Sequence, residues 1–299
     1  MSKLSNIKIL FLLITISFVI FHSAQSANIL FFCGLASYSH RVAMWPLVEA
    51  LAEKGHNVTF FFGQVPKNTH PKVIEFSPND MVNFNERLGL GELDMIKKRL
   101  TSGRADIDRT WPHLIDMGVK LCEIILTDPN ALHFVNNSKF DLVIVDALYN
   151  DCALGLAYKF NALHIVYDPS ASFMWYPDAY GYSDESSYYP EIQYAYPIPM
   201  SFIQRCKNSI ASTYWYYLRK WQMFPRLENL FKKHLGLVHI PPFEELEKNV
   251  SLVFIQRHFT EELPKAFPPL FVPIGGLHVF KEAKPLTDVT IAQFSYSYA

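Results

Sequence analysis

His40 and Asp146 are the residues of this chain whose types and placement best suit acid–base chemistry. Asp146 directly follows the apolar run Leu142–Val145, and His40 follows the apolar run Asn28–Cys33, near the start of an amphipathic stretch. Such runs read as buried strands, and sheets built from them place ligands beyond the carboxyl ends of the strands. Both side chains are therefore expected on one edge of a sheet. A helix N-terminus disfavours the imidazolium, so a histidine there is expected to stay neutral at pH 7. A carboxylate on its other ring nitrogen would fix the tautomer and stabilise the cation formed when the ring accepts a proton. Such a pair suits activation of a hydroxyl nucleophile, with general-base assistance of roughly 10²- to 10⁴-fold. The same spacing also suits a purely structural hydrogen bond, and both readings stay open at this point.

Competing motifs are missing from the sequence. There is no G-x-G-x-x-G after a strand, no Walker A sequence, no G-x-S-x-G elbow and no H-E-x-x-H. Ser37 and Ser39 flank the histidine without an elbow context, which leaves them capping or loop hydrogen bonds. The 11 histidines are scattered, and Cys33, Cys122, Cys152 and Cys206 include no Cys-x-x-Cys pair, so no metal or cofactor site is expected. Buried thiols and disulfides are both open for Cys33 and Cys122. With 27 basic against 28 acidic residues and no long run of either sign, the chain carries no footprint for nucleic acid or an acidic membrane. Small molecules are the expected partners.

The elements that must position the pair follow an alternating pattern. Asn28–Cys33 and Asn57–Phe62 read as strands, joined by a helix whose apolar face is Met44, Leu47, Val48 and Leu51 and whose C-terminal glycine is Gly55. Pro46 fits a first turn, which assigns Gly34–Arg41 to loop or opening turn. Phe140–Val145, a helix over Asp151–Lys159 and Leu163–Tyr167 repeat the unit, and Ser251–Ile255 and Leu270–Ile274 supply late strands. The expected fold class is α/β, a Rossmann-like parallel sheet with helices on both faces. Tyr167–Met200 reads as a long aromatic loop, and Phe202–Leu235 as helix broken near Pro225. Tyr38, Phe173, Trp175, Tyr176 and Tyr180 offer apolar area for a ligand, although aromatic stripes serve cores at least as often.

Lys3 and Lys8 precede an apolar run, Ile9–Phe21, and small residues at Ala24 and Ser26. Residues 1–26 are expected to be a signal peptide, since the run falls short of the roughly 20 residues a bilayer core requires. Secretory export, to the endoplasmic reticulum lumen or outside, then follows as an expectation, with no transmembrane anchor in this chain. Asn136 and Asn249 lie in Asn-x-Ser sequons near expected loops, and Asn57 opens a strand.

Ser37–His40 followed by Pro46–Thr59, the stretch Phe140–Ala147, Ser251–Phe254 with Pro273–His278, and Lys284–Leu286 together resemble the UDP-glycosyltransferase family, which includes UDP-glucuronosyltransferases. The resemblance implies the N-terminal half of a GT-B fold, with residues 27–280 as an acceptor-binding domain and 281–299 as linker or tail. It implies His40 as general base and Asp146 as the acid that orients it. It also implies an inverting, metal-free transfer from a UDP-sugar to a small lipophilic hydroxyl, the UDP-sugar serving as co-substrate. The signature that grips UDP does not follow Leu286, so little transferase activity is expected of the chain alone. The alternative is a lipophilic-ligand-binding or regulatory module pairing with full-length relatives.

Overall fold

The computed structural model describes residues 26–67, 69–88, 107–169, 175–182, 185–191, 194, 196–258, 260 and 266–279. The expected leader up to residue 25, the tail 281–299 and Phe173 lie outside the described residues. Among the described residues no helix is long and apolar enough to cross a membrane.

Short apolar runs form the strands β1 (Asn28–Cys33), β2 (Asn57–Phe62), β3 (Val73–Phe76), β4 (Leu142–Asp146), β5 (Leu163–Asp168), β6 (Leu252–Ile255) and β7 (Phe271–Pro273). They make a 7-stranded sheet in the order β3-β2-β1-β4-β5-β6-β7, and every neighbouring pair is parallel. Strand alternation divides the side chains into two cores. Ile29, Phe31, Val58, Phe60 and Ile144 pack with Met44, Trp45 and Val48 of α1 (Tyr38–Glu53) on one face. Leu30, Phe32, Phe61, Val143 and Val145 face the other core.

That second core is the larger. α2 (Asn79–Arg87), α3 (Ile107–Thr127), α4 (Pro129–Asn137), α5 (Cys152–Phe160), α6 (Tyr176–Tyr180), α7 (Phe202–Tyr217), a π turn (Leu218–Met223), α8 (Phe224–Leu235) and α9 (Phe243–Lys248) all contribute to it or pack against it. The expected α/β sheet with helices on both faces is thus present.

Local chemistry sets several boundaries. Gly55, at φ +91°, ends α1 as a left-handed residue that a side chain would strain. Asp128 caps α4 by accepting from Ala131 N (2.8 Å), and Ser201 with Gln204 forms a capping box on α7. Asn85 Nδ2 donates to the carbonyls of Gly34 (2.7 Å) and Gly63 (2.8 Å), tying together the chain segments that leave β1 and β2.

Two sequence expectations need correction. Helix α1 begins at Tyr38, so Pro46 stands in its interior; the carbonyl that loses its partner belongs to Val42, a residue exposed enough for water to replace the bond. The segment Phe202–Leu235 is not broken at Pro225. Helical dihedrals continue through the π turn, and the proline falls in the first turn of α8, where its missing N–H is tolerated. The structure decides the cysteines left open: Cys122 bonds to Cys152 across a Cα–Cα distance of 5.3 Å, joining α3 to α5. Cys33 is free and buried, while Cys206 is free and exposed.

Candidate active site

From β1 the chain turns one way, to β2 and β3, and from β4 it turns the other, to β5, β6 and β7. The gap beyond the carboxyl ends of β1 and β4 is therefore the topological switch point, where open α/β sheets receive ligands. Asp146 ends β4, and His40 sits in the first turn of α1, the helix that follows β1. Alternation along β4 turns Asp146 toward the same face as Ile144, which is the face α1 covers.

The two side chains meet. His40 Nδ1–H donates to Asp146 Oδ2 at 2.7 Å, with Asp146 fully buried and His40 only slightly exposed. Burial works against the imidazolium, but the charge and hydrogen bond of Asp146, with Asp168 beyond it, outweigh burial and hold His40 above its ordinary pKa of 6.5. This corrects the expectation of a histidine kept neutral by its helix terminus: a buried carboxylate in direct contact acts more strongly than a partial helix charge. Because Nδ1 is engaged, Nε2 is the nitrogen that can accept a proton.

Asp146 is itself held on its other oxygen. Leu148 N (2.9 Å) and Asn150 Nδ2 (3.2 Å) both donate to Oδ1. Asn150 also accepts from Leu35 N (2.7 Å) and donates to Leu35 O (3.1 Å), so one buried amide joins the segment leaving β1 to the carboxylate ending β4. The intervening Tyr149 adopts φ 54°, which is costly for a residue with a side chain. Its ring packs on Trp215 (5.7 Å) and Trp175 (6.4 Å), and that aromatic packing holds the conformation. Cys33 lies against the same carboxylate: burial first, then the charge of Asp146 and a hydrogen bond to it, keep the thiol protonated.

Sequence reasoning passed over Asn150, Cys33 and Asp168. Asp168 had a usable signal, since it closes an apolar strand as Asp146 does. Asn150 had none beyond its residue type, because its bonds run to backbone 115 positions away.

The aromatic candidates divide. Trp175 and Tyr176 are buried, with Trp175 against Trp215 (5.3 Å) and Tyr176 between Tyr180 (5.2 Å) and Phe271 (5.8 Å). Together with Asp146, Val166 and Arg219 they help line a cavity of about 30 Å³, a volume on the scale of one water molecule. Tyr38 is separate from that group; it stands in the first turn of α1 with Lys67 Nζ 5.0 Å from its ring. Among the described residues no group of three His, Cys, Asp or Glu side chains is placed to hold a metal.

Known proteins resemble this chain along most of its length. UDP-glucosyltransferase 2 of Dactylopius coccus is 27% identical over 275 residues, covering 92% of this chain and 52% of that protein. UDP-glucuronosyltransferase 2B15 of Homo sapiens is 27% identical over 268 residues, covering 83% and 48%. The human 2-hydroxyacylsphingosine 1-beta-galactosyltransferase is 24% identical over 270 residues, covering 89% and 48%. The chain thus spans about half the length of the curated relatives it matches. The family profile described as UDP-glucoronosyl and UDP-glucosyl transferase matches residues 29–297, and the chain belongs to that family.

Proposed function

We propose that this chain forms the acceptor side of a sugar transfer from a UDP-sugar to a small lipophilic alcohol or phenol. His40 is the general base in this reading and Asp146 the residue that orients it. The single observation supporting it is the 2.7 Å contact between Nδ1 and Oδ2 at the switch point of the sheet.

As the acceptor oxygen forms its bond to the anomeric carbon, the bond from that carbon to UDP breaks, with inversion, and the acceptor proton passes to Nε2. Asp146 stabilises the imidazolium that results. No metal or cofactor enters the scheme. Holding a UDP-sugar in line with His40 belongs to the remainder of such an enzyme, and proximity of that kind can lower a barrier by roughly 7 to 11 kcal/mol. Transfer is accordingly proposed for the complete protein and acceptor binding for this chain. The Cys122–Cys152 bond favours an oxidising compartment, and we place the protein in the secretory pathway on that ground.

A chromogenic phenol tests the base without a sugar donor. Binding to the chain should raise the fraction present as phenolate at fixed pH, and His40→Ala should abolish that rise while leaving most of the affinity. Bound phenol that titrates as it does in water would exclude His40 as its base. In an enzyme carrying both halves, the same substitution should lower kcat by about 10²- to 10⁴-fold.

A further inference from the structure

A second cavity lies at the amino end of β5, on the edge of the sheet opposite His40 and Asp146. It sits where α5 ends, β5 begins and α9 ends, and its volume is about 290 Å³. That is roughly ten times the share of one water molecule in the liquid, room for a ring-sized molecule. Position along β5 separates it from the candidate active site. His164, which lines the cavity, is the second residue of the strand, and Asp168 is its last. Four residues of strand at about 3.3 Å each place their Cα atoms about 13 Å apart.

His164 sets this cavity apart. It is 6% exposed, it shares a face of β5 with Val166, and its Nε2 has no hydrogen-bond partner among the described residues. Burial pushes its pKa down to about 4, so the ring is neutral near pH 7, with one nitrogen a donor and the other an acceptor. Buried polar atoms are nearly always paired, and this one leaves a bond for a partner from outside the chain to make. The other lining residues set the chemistry of that partner. Leu154, Ala157 and Leu246 are buried and form an apolar inner wall, while Leu163 and Tyr158, 66% and 40% exposed, form a rim. Asn161 and Asn249 are exposed there, with side-chain amides that make no hydrogen bond among the described residues. Asn161 is the left-handed residue that ends α5, at φ 53°, so its amide hangs from a fixed backbone position. Among the described residues, no side chain lining the cavity carries a charge. An anion or a cation entering it would lose water without gaining a counter-ion.

We propose that this cavity binds an uncharged small molecule, an apolar ring or short chain carrying a carboxamide or hydroxyl group. The apolar body fills the space between α5 and α9, and the polar group bonds to the His164 ring, with Asn161 and Asn249 completing its hydrogen bonds. The χ2 torsion of histidine is broad and two-fold, so the ring turns its unpaired nitrogen to the ligand without moving the strand. A carboxamide and a hydroxyl each carry a donor and an acceptor, which suits an imidazole that offers one of each. The site is separate from the role given to His40 and stands whether or not that role holds.

Benzamide, benzoate and benzylammonium share one ring and differ in charge, and histidine NMR of the purified chain reads their binding at this site. The His164 resonance is the one that keeps its neutral form down to about pH 5 and disappears in His164→Leu. Benzamide should shift it saturably, and the two ions should bind about tenfold more weakly. Asn161→Gly, which keeps the left-handed turn, together with Asn249→Ala should weaken benzamide about tenfold while circular dichroism stays unchanged. His40→Ala should leave the His164 response intact. A His164 resonance that does not move, benzoate that binds as well as benzamide, or an affinity unchanged in the Asn161→Gly, Asn249→Ala chain overturns the proposal. So does a response lost in His40→Ala, which would place the ring at the switch point of the sheet.

Discussion

Asp146 touches His40, Leu148, Asn150 and Cys33, and each contact constrains a different property of the site. The contact with His40 couples stability to pH. The folded pKa of His40 is raised, so its contribution is complete below the ordinary value of 6.5 and is lost as pH rises through the folded value. The difference in Tm between the wild type and His40→Gln should therefore narrow from pH 6 to pH 9, and a gap that widens would contradict the pairing. Asn150 governs geometry. Asn150→Ala leaves Leu35 N without its buried acceptor and removes one of the two donors to Asp146 Oδ1, so it should cost about 1 to 3 kcal/mol in denaturant unfolding. Histidine NMR should show His40 titrating closer to its ordinary value in that variant if Asn150 helps to fix the carboxylate against Nδ1, and an unchanged titration would mean that Leu148 N alone holds it there.

Elements differ in how far sequence alone discloses them. β1, β2, β4 and β5 are six-, six-, five- and six-residue strands of nearly pure apolar sequence, and each reads directly as a buried parallel strand. α2, α3 and α4 went unread: α2 is mostly polar, and α3 carries an internal Pro112. β3 was missed because Glu75 interrupts it, and that glutamate is held by Arg41 at 2.7 Å, a partner no local pattern announces. The His40–Asp146 pair was legible because both residues flank strongly apolar strands; Asn150 acts through tertiary bonds and was not. Pairing of cysteines was equally out of reach, since separation along the chain does not fix Cα distance. Cys122–Cys152 closes a loop of sequence separation 30 between α3 and α5, and its removal should destabilise the fold by about 3 kcal/mol. Calorimetry of the Cys122→Ala, Cys152→Ala chain measures this, and an unchanged Tm would mean that packing alone fixes the two helices.

At the scale of the molecule, Arg219 joins three parts of the chain. Its guanidinium, in the π turn, meets Asp151 at the head of α5 and Glu247 of α9 (2.6 Å), and lies 5.0 Å from the Trp175 ring. Burial pushes the Glu247 carboxyl up, opposed by Arg219. Arg219→Met would leave the buried Glu247 and the partly buried Asp151 without their cation, at a cost of about 3 to 5 kcal/mol near neutral pH. The loss should shrink in mild acid, where Glu247 takes up a proton; equal losses by chemical denaturation at pH 5 and pH 7 would argue that the arginine acts only through packing.

The distribution of sulfur has a practical corollary. Of the four cysteines, Cys122 and Cys152 are bonded, Cys33 is sealed beneath the sheet edge and Cys206 alone faces solvent. A maleimide or nitroxide reagent should therefore modify the unaltered chain at a single position on α7. Paramagnetic relaxation from that label would map distances to the rest of the molecule without any cysteine having to be engineered in or out.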